Sequence, residues 1–402
     1  SLLRRKLPIK VASIIGWTIA PIYSGILFLI FGAGWGPILL ACVIAGTGAG
    51  LYKWFDKIAK LTNIAKKKQE VAVQNDSDWD INKLNSQVTD TFSRYQTDWS
   101  NNDGAAMQPY MTPKYFYHSQ LMIMALRQLG RRNVINQPKI IELNLLNIHD
   151  EENKLNDSFT MNIVANAKDD LYDEYTNTLL FEDRSKFSEF WSFTRSENGW
   201  LLDGISQATE DLNLKNRTLE AFAESHNYCY SADWGWLLLP CRGQLFKGGK
   251  FGASDINNHV IGIYNNILIQ LYNYIQNPNS NSGRKYENYI IAQVALPKTY
   301  GNIVVRKKRP LSTGISKLTK VTMEWGDFNK NYEVWASDME RVTSFELLNP
   351  SFMIKLQELT IEVNIEVVDN IVYLYSNKVA PSAENYEKML SILQQAFKEM
   401  RM

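Results

Sequence analysis

The stretch FSEFWSFTRSENGWLLDGISQ, residues 187–207, decides how the first folded part of the chain is interpreted. Aromatic and β-forming residues run from Phe187 to Phe193, and residues 196–199 supply the residue types of a tight turn. Trp200 then begins a second apolar run. The pattern predicts a β-hairpin whose two strands carry several large aromatic side chains.

Strict alternation along the first strand of this hairpin sorts its side chains onto two faces. One face is predicted to form core first and a pocket wall second; it carries Phe187, Glu189, Trp191 and Phe193, with Phe190 opposite. A carboxylate buried among aromatic rings needs a partner, and we expect Arg195 to be that partner. A structural ion pair is therefore favoured over a catalytic carboxylate.

Two helices and three strands are predicted before the hairpin. Apolar side chains at helical spacing form one stripe on the first helix, which ends at 101–104: Leu84, Val88, Phe92, Tyr95 and Trp99. For the second helix, Thr112 is the expected N-cap, Pro113 the first helical residue and Gly130 the stop. Strands are predicted at 139–148, 157–167 and 177–182. Helices followed by antiparallel strands indicate an α+β fold.

Four stretches together resemble the TIM 44-like domain family, which is related to the mitochondrial inner-membrane translocase subunit of that number. They are the helix ending at Trp99, YMTP at 110–113, DSFTMNIVANAKD at 157–169, and the hairpin at 187–207. The resemblance covers about residues 79–210. It implies a cone similar to nuclear-transport-factor-two-like proteins, with a curved sheet packed on helices. It also implies a place at a membrane and binding of other proteins, although some related cones hold ligands and a few are enzymes.

An open cone would give the chain a ligand pocket. Seven residues are the candidates for lining it: His118, Phe187, Glu189, Trp191, Phe193, Trp200 and Asp203. His118 and Asp203 would act as a catalytic pair only if they faced each other within hydrogen-bond reach. For His118, we favour the alternative of a histidine packed on a helix face.

The N-terminal residues indicate a membrane anchor. Behind a basic segment at 1–10, the forty-two residues between Lys10 and Lys53 carry no charge, which is enough for two helical spans. Gly-Ala-Gly-Trp-Gly-Pro at 32–37 marks a turn, so we predict a transmembrane helical hairpin at 11–55. Small residues at a spacing of four predict that its helices pack closely: Ala12, Gly16, Ala20, Ser24, Ala41, Ala45, Gly46, Ala49 and Gly50.

Charge sets the orientation of this hairpin. Basic residues flank the uncharged run on both sides, which places both ends in the cytoplasm of a cell with the hairpin in its inner membrane. Residues 56–78 are predicted to be a basic amphipathic linker on anionic lipid or, equally, a solvated linker. The residues that would meet the lipid are Lys57, Lys60, Lys66, Lys67 and Lys68. Because the rest of the chain is net negative, nucleic acid is not expected as a partner.

The C-terminal half predicts a linker at 211–230 and a second α+β domain at 231–402. An apolar strand is expected within 233–246, a strand-like run at 257–276, and further strands at 289–296, 303–306 and 320–325. A helix should begin at Pro350, a hairpin should turn at Asp369 and Asn370, and a closing helix should run over 383–400. This half weakly resembles a bacterial domain family of unknown function, through Phe328, Tyr332, Val334, Ser337, Asp338, Leu348, Asn349, Pro350, Met353 and Leu356.

Motifs for catalysis or metal binding are not found. The three cysteines and four histidines show no metal-ligand spacing, and Gly-Gly-Lys-Phe-Gly at 248–252 lacks the phosphate-loop pattern. Asp169, Asp170, Asp173 and Glu174 form an acidic cluster that we expect to be a solvated loop. We therefore predict no catalytic residue, no cofactor and no metal, and a reducing compartment.

These observations predict a membrane-anchored interaction or scaffold module on the cytoplasmic side, with membrane-protein biogenesis or protein transport as candidate settings. The alternative is a carrier or enzyme that binds a hydrophobic small molecule or lipid in the cavity of the cone. A cone filled by its own side chains would favour the scaffold, and an open pocket with convergent polar groups would favour the alternative.

Overall fold

A computed structural model describes most of the chain after the N-terminal segment. The described residues are 58–207, 217–276 without 248 and 253, 287–337 without 309–313 and 316, and 348–399 without 360. The predicted membrane hairpin, its small packing residues and Lys57 lie outside them. Within the described part of the chain, no helix is both long enough and apolar enough to cross a membrane. The described residues divide into two compact units, 58–117 with 132–207, and 118–131 with 217–399.

Three α-helices begin in the first unit. Helix α1 covers residues 58–75, α2 covers Ile81–Ser100 and α3 covers Pro113–Gln128. The Asp80 carboxylate accepts the Asn82 and Lys83 backbone N–H groups and caps α2. Thr112 accepts the Tyr115 backbone N–H at 3.3 Å, and Gly130 takes a positive φ of 63° behind α3. The predicted start and stop of α3 are thus confirmed.

Five strands of the described chain form one antiparallel sheet beside these helices. Their bounds are β1 Arg131–His149, β2 Ser158–Asp173, β3 Thr178–Asp183, β4 Phe187–Ser196 and β5 Gly199–Gln207. The order is β1-β2-β4-β5, and β3 pairs with the far half of β2. Ser196 pairs with Gly199 across a two-residue turn, so the hairpin predicted at 187–207 is confirmed.

The core of the first unit lies between α2 and the sheet. All five residues of the stripe predicted for α2 are buried. Phe92 and Tyr95 reach across to the Trp191 ring of β4, with ring centroids 5.5 and 5.4 Å apart. The α+β class predicted from the sequence is confirmed for this unit, because helices pack on an antiparallel sheet.

Nine strands of the described chain form the antiparallel sheet of the second unit, in the order β11-β12-β10-β13-β14-β9-β8-β7-β6. Their bounds are β6 Cys229–Gly235, β7 Asp255–Tyr264, β8 Ile267–Gln276, β9 Glu287–Ala295, β10 Asn302–Lys307, β11 Thr319–Val321, β12 Tyr332–Ala336, β13 Asn364–Val368 and β14 Ile371–Ser376. The sheet is thus a meander in its β6–β9 half, and β13 and β14 insert between β9 and β10.

Helices cover one face of this nine-stranded sheet. They are α4 Arg217–Ser225, α5 Gly326–Asn331, α6 Pro350–Glu358 and α7 Ala383–Glu399. Leu271 of β8 and Leu374 of β14 share one apolar cluster with Tyr386, Leu390 and Phe397 of α7. The opposite face carries buried polar and aromatic residues, among them Gln270, Tyr272, Gln293, Glu366 and Tyr373. The second unit is therefore α+β as well.

Turns in the second unit were predicted with mixed success. The hairpin turn at Asp369 and Asn370 and the helix start at Pro350, capped by Asn349, are confirmed. The run at 257–276 is not one strand, because Asn265 and Asn266 both adopt positive φ and turn β7 into β8. Residues 236–238 form a buried turn and not a strand. Helix α4 lies within 211–230, where a linker was expected.

Candidate functional site

The candidate pocket of the first unit is an aromatic face on the side of its sheet that faces α2. We define it by Phe159, Phe187, Trp191, Phe193 and Trp200, all of which are buried. Phe159 stacks on Phe193 at 4.8 Å and meets Trp200 edge-on at 4.9 Å, and Trp79 packs on Trp200 at 4.8 Å. Ring-to-ring distances of this size leave these side chains in mutual contact. The aromatic face is therefore filled by residues of the unit itself.

Glu189 lies within this face and is almost completely buried. Trp191 donates its indole N–H to Glu189 Oε2 at 3.0 Å, and Gln207 donates its side-chain amide to Oε1 at 3.3 Å. Burial, with the Glu189 charge adding to it, raises the pKa of Tyr115 far above its ordinary value. The Trp191 indole and the Gln207 amide therefore satisfy both carboxylate oxygens of Glu189, as the burial of a carboxylate requires.

The expected pairing of Glu189 with Arg195 is wrong. Arg195 Nη1 donates to Asp76 at 2.6 Å and to Asp157 at 3.0 Å, and its Nη2 donates to Asp78. Arg195 pairs with Trp200 near the hairpin turn, four residues beyond Trp191, where the segment before α2 supplies Asp76 and Asp78. The need of a buried carboxylate for a cation suggested Glu189 as the partner, but three other carboxylates reach the guanidinium.

Asp203 and His118 have partners other than each other. The Thr112 hydroxyl donates to Asp203 Oδ1 at 2.8 Å, on an exposed stretch of β5. His118 belongs to the second unit, and its Nε2 atom lies 3.1 Å from the Ser231 hydroxyl oxygen. Asp203 thus contacts the N-cap residue of α3, and His118 contacts a residue of β6.

Helix α1 is a docked element, although residues 56–78 were expected to be a linker. Ile58 and Leu61 pack against Leu146 and Phe190 of the sheet, and Gln69 donates its amide to the Trp79 carbonyl at 2.7 Å. Phe190 therefore faces α1, on the side predicted for it. The outward face of α1 presents two exposed apolar side chains, Ile64 at 56% and Val71 at 61%, beside exposed Lys66, Lys67 and Lys68.

A polar anchor in the second unit was missed by the sequence analysis. Arg131 is buried, and its guanidinium donates to the carbonyls of Leu239 and, at 2.6 Å, Pro240. The Glu366 carboxylate accepts the backbone N–H groups of Gln244 and, at 2.7 Å, Leu245. These contacts hold both ends of a segment, residues 239–245, that no side-chain pattern could have linked to Arg131 or Glu366.

The acidic cluster on β2 is partly buried and not a solvated loop. Asn133 donates its amide to Asp169 at 2.6 Å, and Arg184 forms an ion pair with Asp170 at 2.6 Å. Both aspartates belong to β2, where the long strand continues beyond its pairing with β4. Among the described residues, no group of three or more His, Cys, Asp or Glu side chains is arranged to hold a metal ion.

Comparison with known proteins gives only distant structural likeness. No family model matches the chain, and no curated protein matches its sequence. The mycobacterial trehalose monomycolate transport factor A, TtfA, shares 12% identity over 46% of this chain and 93% of its own, at a TM-score of 0.35. The intermembrane space region of the chloroplast protein ARC6 shares 13% identity over 30% of this chain and 92% of its own, at 0.23. The TIM 44-like resemblance stays a prediction.

Proposed function

We propose that this chain is a membrane-tethered interaction module that works by contact with another protein and catalyses no reaction. The observation that carries the proposal is the filled aromatic face of the first unit. Its rings pack on one another, and the Glu189 carboxylate already accepts two hydrogen bonds from the same unit. A module of this kind binds its partner protein through its solvent-exposed surface.

The proposed site of action is the cytoplasmic side of the inner membrane. The uncharged run before Lys53 would supply the anchor, and α1 would follow it directly. Because α1 is packed on the sheet, its exposed Ile64, Val71 and neighbouring lysines would lie close to the bilayer. Basic side chains beside apolar ones suit an anionic lipid surface. The partner protein would then be one found at the same surface.

The rival function is a carrier or enzyme that holds a hydrophobic molecule in the cone. That function needs space behind the aromatic face and a polar group free to meet the ligand. The contacts between the rings, and the hydrogen bond that Glu189 accepts from Trp191, favour the interaction module instead. Membrane-protein biogenesis or protein transport remains the setting that we propose for the module.

The test compares substitutions of exposed residues with a substitution of a buried residue in the first unit. The full chain would be captured from detergent-solubilised membranes, and its co-purifying proteins and lipids quantified by mass spectrometry. Tyr175 and Leu179, exposed around the β2–β3 turn, would be replaced together by serine, and Glu189→Gln would serve as the buried variant. The proposal expects a stoichiometric protein whose recovery Glu189→Gln leaves unchanged. A stoichiometric lipid or small molecule that is lost in Glu189→Gln and kept in the outside variant would refute it.

A further inference from the structure

The second unit contains a buried arginine, Arg131, whose positive charge is not paired with a carboxylate of the described residues. Arg131 is 4% exposed, and its guanidinium lies over the Phe251 ring at 4.9 Å while it donates to two backbone carbonyls. No carboxylate of the described residues forms an ion pair with it. Burial destabilises the charged guanidinium and lowers the pKa of Arg131 to about 10. Among the described residues, no counter-ion offsets this cost.

The two nearby groups that could carry negative charge do not neutralise Arg131. Glu366 directs its carboxylate to the Gln244 and Leu245 backbone N–H groups. The Cys241 thiol interacts with Arg131, but burial raises the pKa of this thiol, so it is uncharged at neutral pH. The site therefore keeps a net positive charge at Arg131.

Two further donors interact electrostatically with Arg131. The Tyr373 hydroxyl is completely buried and has no hydrogen-bond partner among the described residues. Arg242 is partly exposed and forms no hydrogen bond or ion pair with another described residue; it interacts electrostatically with both Arg131 and Tyr373. Buried hydroxyls without a partner are uncommon in folded proteins and call for an explanation.

The backbone around Arg242 holds it in a fixed turn. Cys241 and Gly243, its two neighbours, both have positive φ, 52° and 82°. A side chain at position 243 would collide with Glu366, since a Cβ there would lie 2.5 Å from Oε1. Arg131 holds one end of the turn and Glu366 the other, and the Arg242 side chain between them is partly exposed.

We propose that Arg131, Arg242 and the Tyr373 hydroxyl form a binding site for a phosphate group. Two guanidinium groups match the charge of a phosphate dianion, and both offer N–H donors to its oxygens. Tyr373 supplies a neutral O–H donor from the sheet, because burial raises the pKa of its phenol far above the ordinary value. The phosphate belongs to a lipid head group or to a soluble phosphate; the chemistry of recognition is the same. This site lies in the second unit and is independent of the function proposed above.

The test is isothermal titration calorimetry on the full chain in non-ionic detergent at constant ionic strength. One arm uses inorganic phosphate, and a second uses short-chain phosphatidic acid with short-chain phosphatidylcholine as its zwitterionic control. The variants are Tyr373→Phe, which removes only the unpartnered hydroxyl, and Arg242→Gln. Tyr386→Phe removes another buried hydroxyl, which donates to the Asn258 carbonyl, and Arg217→Gln removes an exposed arginine of α4. These two are the matched controls.

The proposal expects saturable binding, one phosphate per chain, weakened about tenfold or more in Tyr373→Phe and in Arg242→Gln and unchanged in both controls. Binding of inorganic phosphate identifies a soluble phosphate as sufficient, and binding of phosphatidic acid alone identifies the lipid head group. Absence of saturable binding in both arms overturns the proposal. Equal affinity of the wild type and the two site variants overturns it as well, since Arg131 would then serve only to hold residues 239 and 240.

Discussion

Trp191 combines two roles at a single position of β4. Its ring contacts Phe92 and Tyr95 of α2, and its indole N–H donates to the Glu189 carboxylate two residues earlier. Glu189 and Trp191 share one face of the strand because side chains alternate along it. A residue that fills the core thus also satisfies the buried charge beside it.

Replacing Trp191 by alanine should lower the free energy of unfolding of the first unit by about 3–5 kcal/mol. The loss combines a large cavity with a carboxylate deprived of one donor. Chemical denaturation followed by circular dichroism would measure it, and Trp191→Phe, which keeps a ring, should cost less. A free energy of unfolding unchanged in Trp191→Ala would show that this residue belongs to a functional surface and not to the core.

Arg195 makes the first unit sensitive to acid. Its hydrogen bond holds the pKa of Asp76 well below the ordinary value of 3.8. A depressed folded-state pKa contributes stability that is fully present above the unfolded-state value and is lost as the pH falls through the folded-state value. The contribution of this pair should therefore be complete at neutral pH and decline progressively as the pH falls below about 4.

Arg195→Gln should accordingly destabilise the unit by about 3–5 kcal/mol at pH 7, since it leaves buried Asp157 without its cation. The difference from wild type should shrink as the pH is lowered from about 5 to 2. Lys83→Gln is the matched control, because its ion pair with Asp78 is exposed and should contribute less than about 1 kcal/mol. A difference between Arg195→Gln and wild type that does not change with pH would contradict the assignment.

At the scale of elements, α1 is packed on the rest of the first unit. Its buried stripe includes Ala65, Gln69 and Ala72, while Ile64 and Val71 face outward. Ala65 and Ala72 are almost completely buried, and Ile58 and Leu61 contact the sheet. A helix held in this way fixes residues 58–75 relative to the sheet, which a solvated linker would not do.

Ala65→Glu should release α1 from the sheet, because a charge would enter a contact that is almost fully buried. Limited trypsin digestion should then cleave after Lys66, Lys67 or Lys68 at least about tenfold faster, since cleavage needs local unfolding of the helix. Ile64→Glu, one residue away on the exposed face, is the control and should leave the rate unchanged. Equal cleavage rates in wild type and Ala65→Glu would mean that α1 is not held by this contact.

Local signals account for the elements that were predicted correctly. Thr112, Pro113 and Gly130 define α3 through capping and a positive φ, and residues 196–199 turn the β4–β5 hairpin. The turn at Asn265 and Asn266 was missed because apolar β-forming residues flank it on both sides and hide it in one continuous run. Local chemistry therefore predicted these boundaries, but it failed where the apolar pattern was uniform and missed the start of β1 at Arg131 and the end of β2 at Asp173.

Long-range contacts account for what the sequence analysis missed. Arg131 binds backbone carbonyls at 239 and 240, and Arg195 binds carboxylates at 76, 78 and 157. Backbone acceptors leave no residue pattern, and ion pairs across such separations depend on how the elements pack. The aromatic face could be predicted from strand alternation, whereas the partners of its charged residues could not.

At the scale of the whole molecule, the sequence predicts that residues 11–55 cross the bilayer twice. In a cysteine-free background, single cysteines would be introduced at Trp35, Leu2 and Lys60 and labelled with a membrane-impermeant reagent from outside the cell. The position at 35 should react, and the positions at 2 and 60 should be protected, because basic residues flank both ends of the run. Labelling of positions 2 and 60 from opposite sides would contradict the hairpin.

The claim that the first unit acts by contact is tested most directly by native mass spectrometry of the full chain released from its membrane. The account predicts the mass of the chain alone or with a protein partner, and no lipid-sized adduct in the first unit. A phosphate adduct in the second unit would be recognised by its loss in Tyr373→Phe. One lipid-sized molecule per chain, present in the wild type and in Tyr373→Phe and absent from Glu189→Gln, would contradict the account.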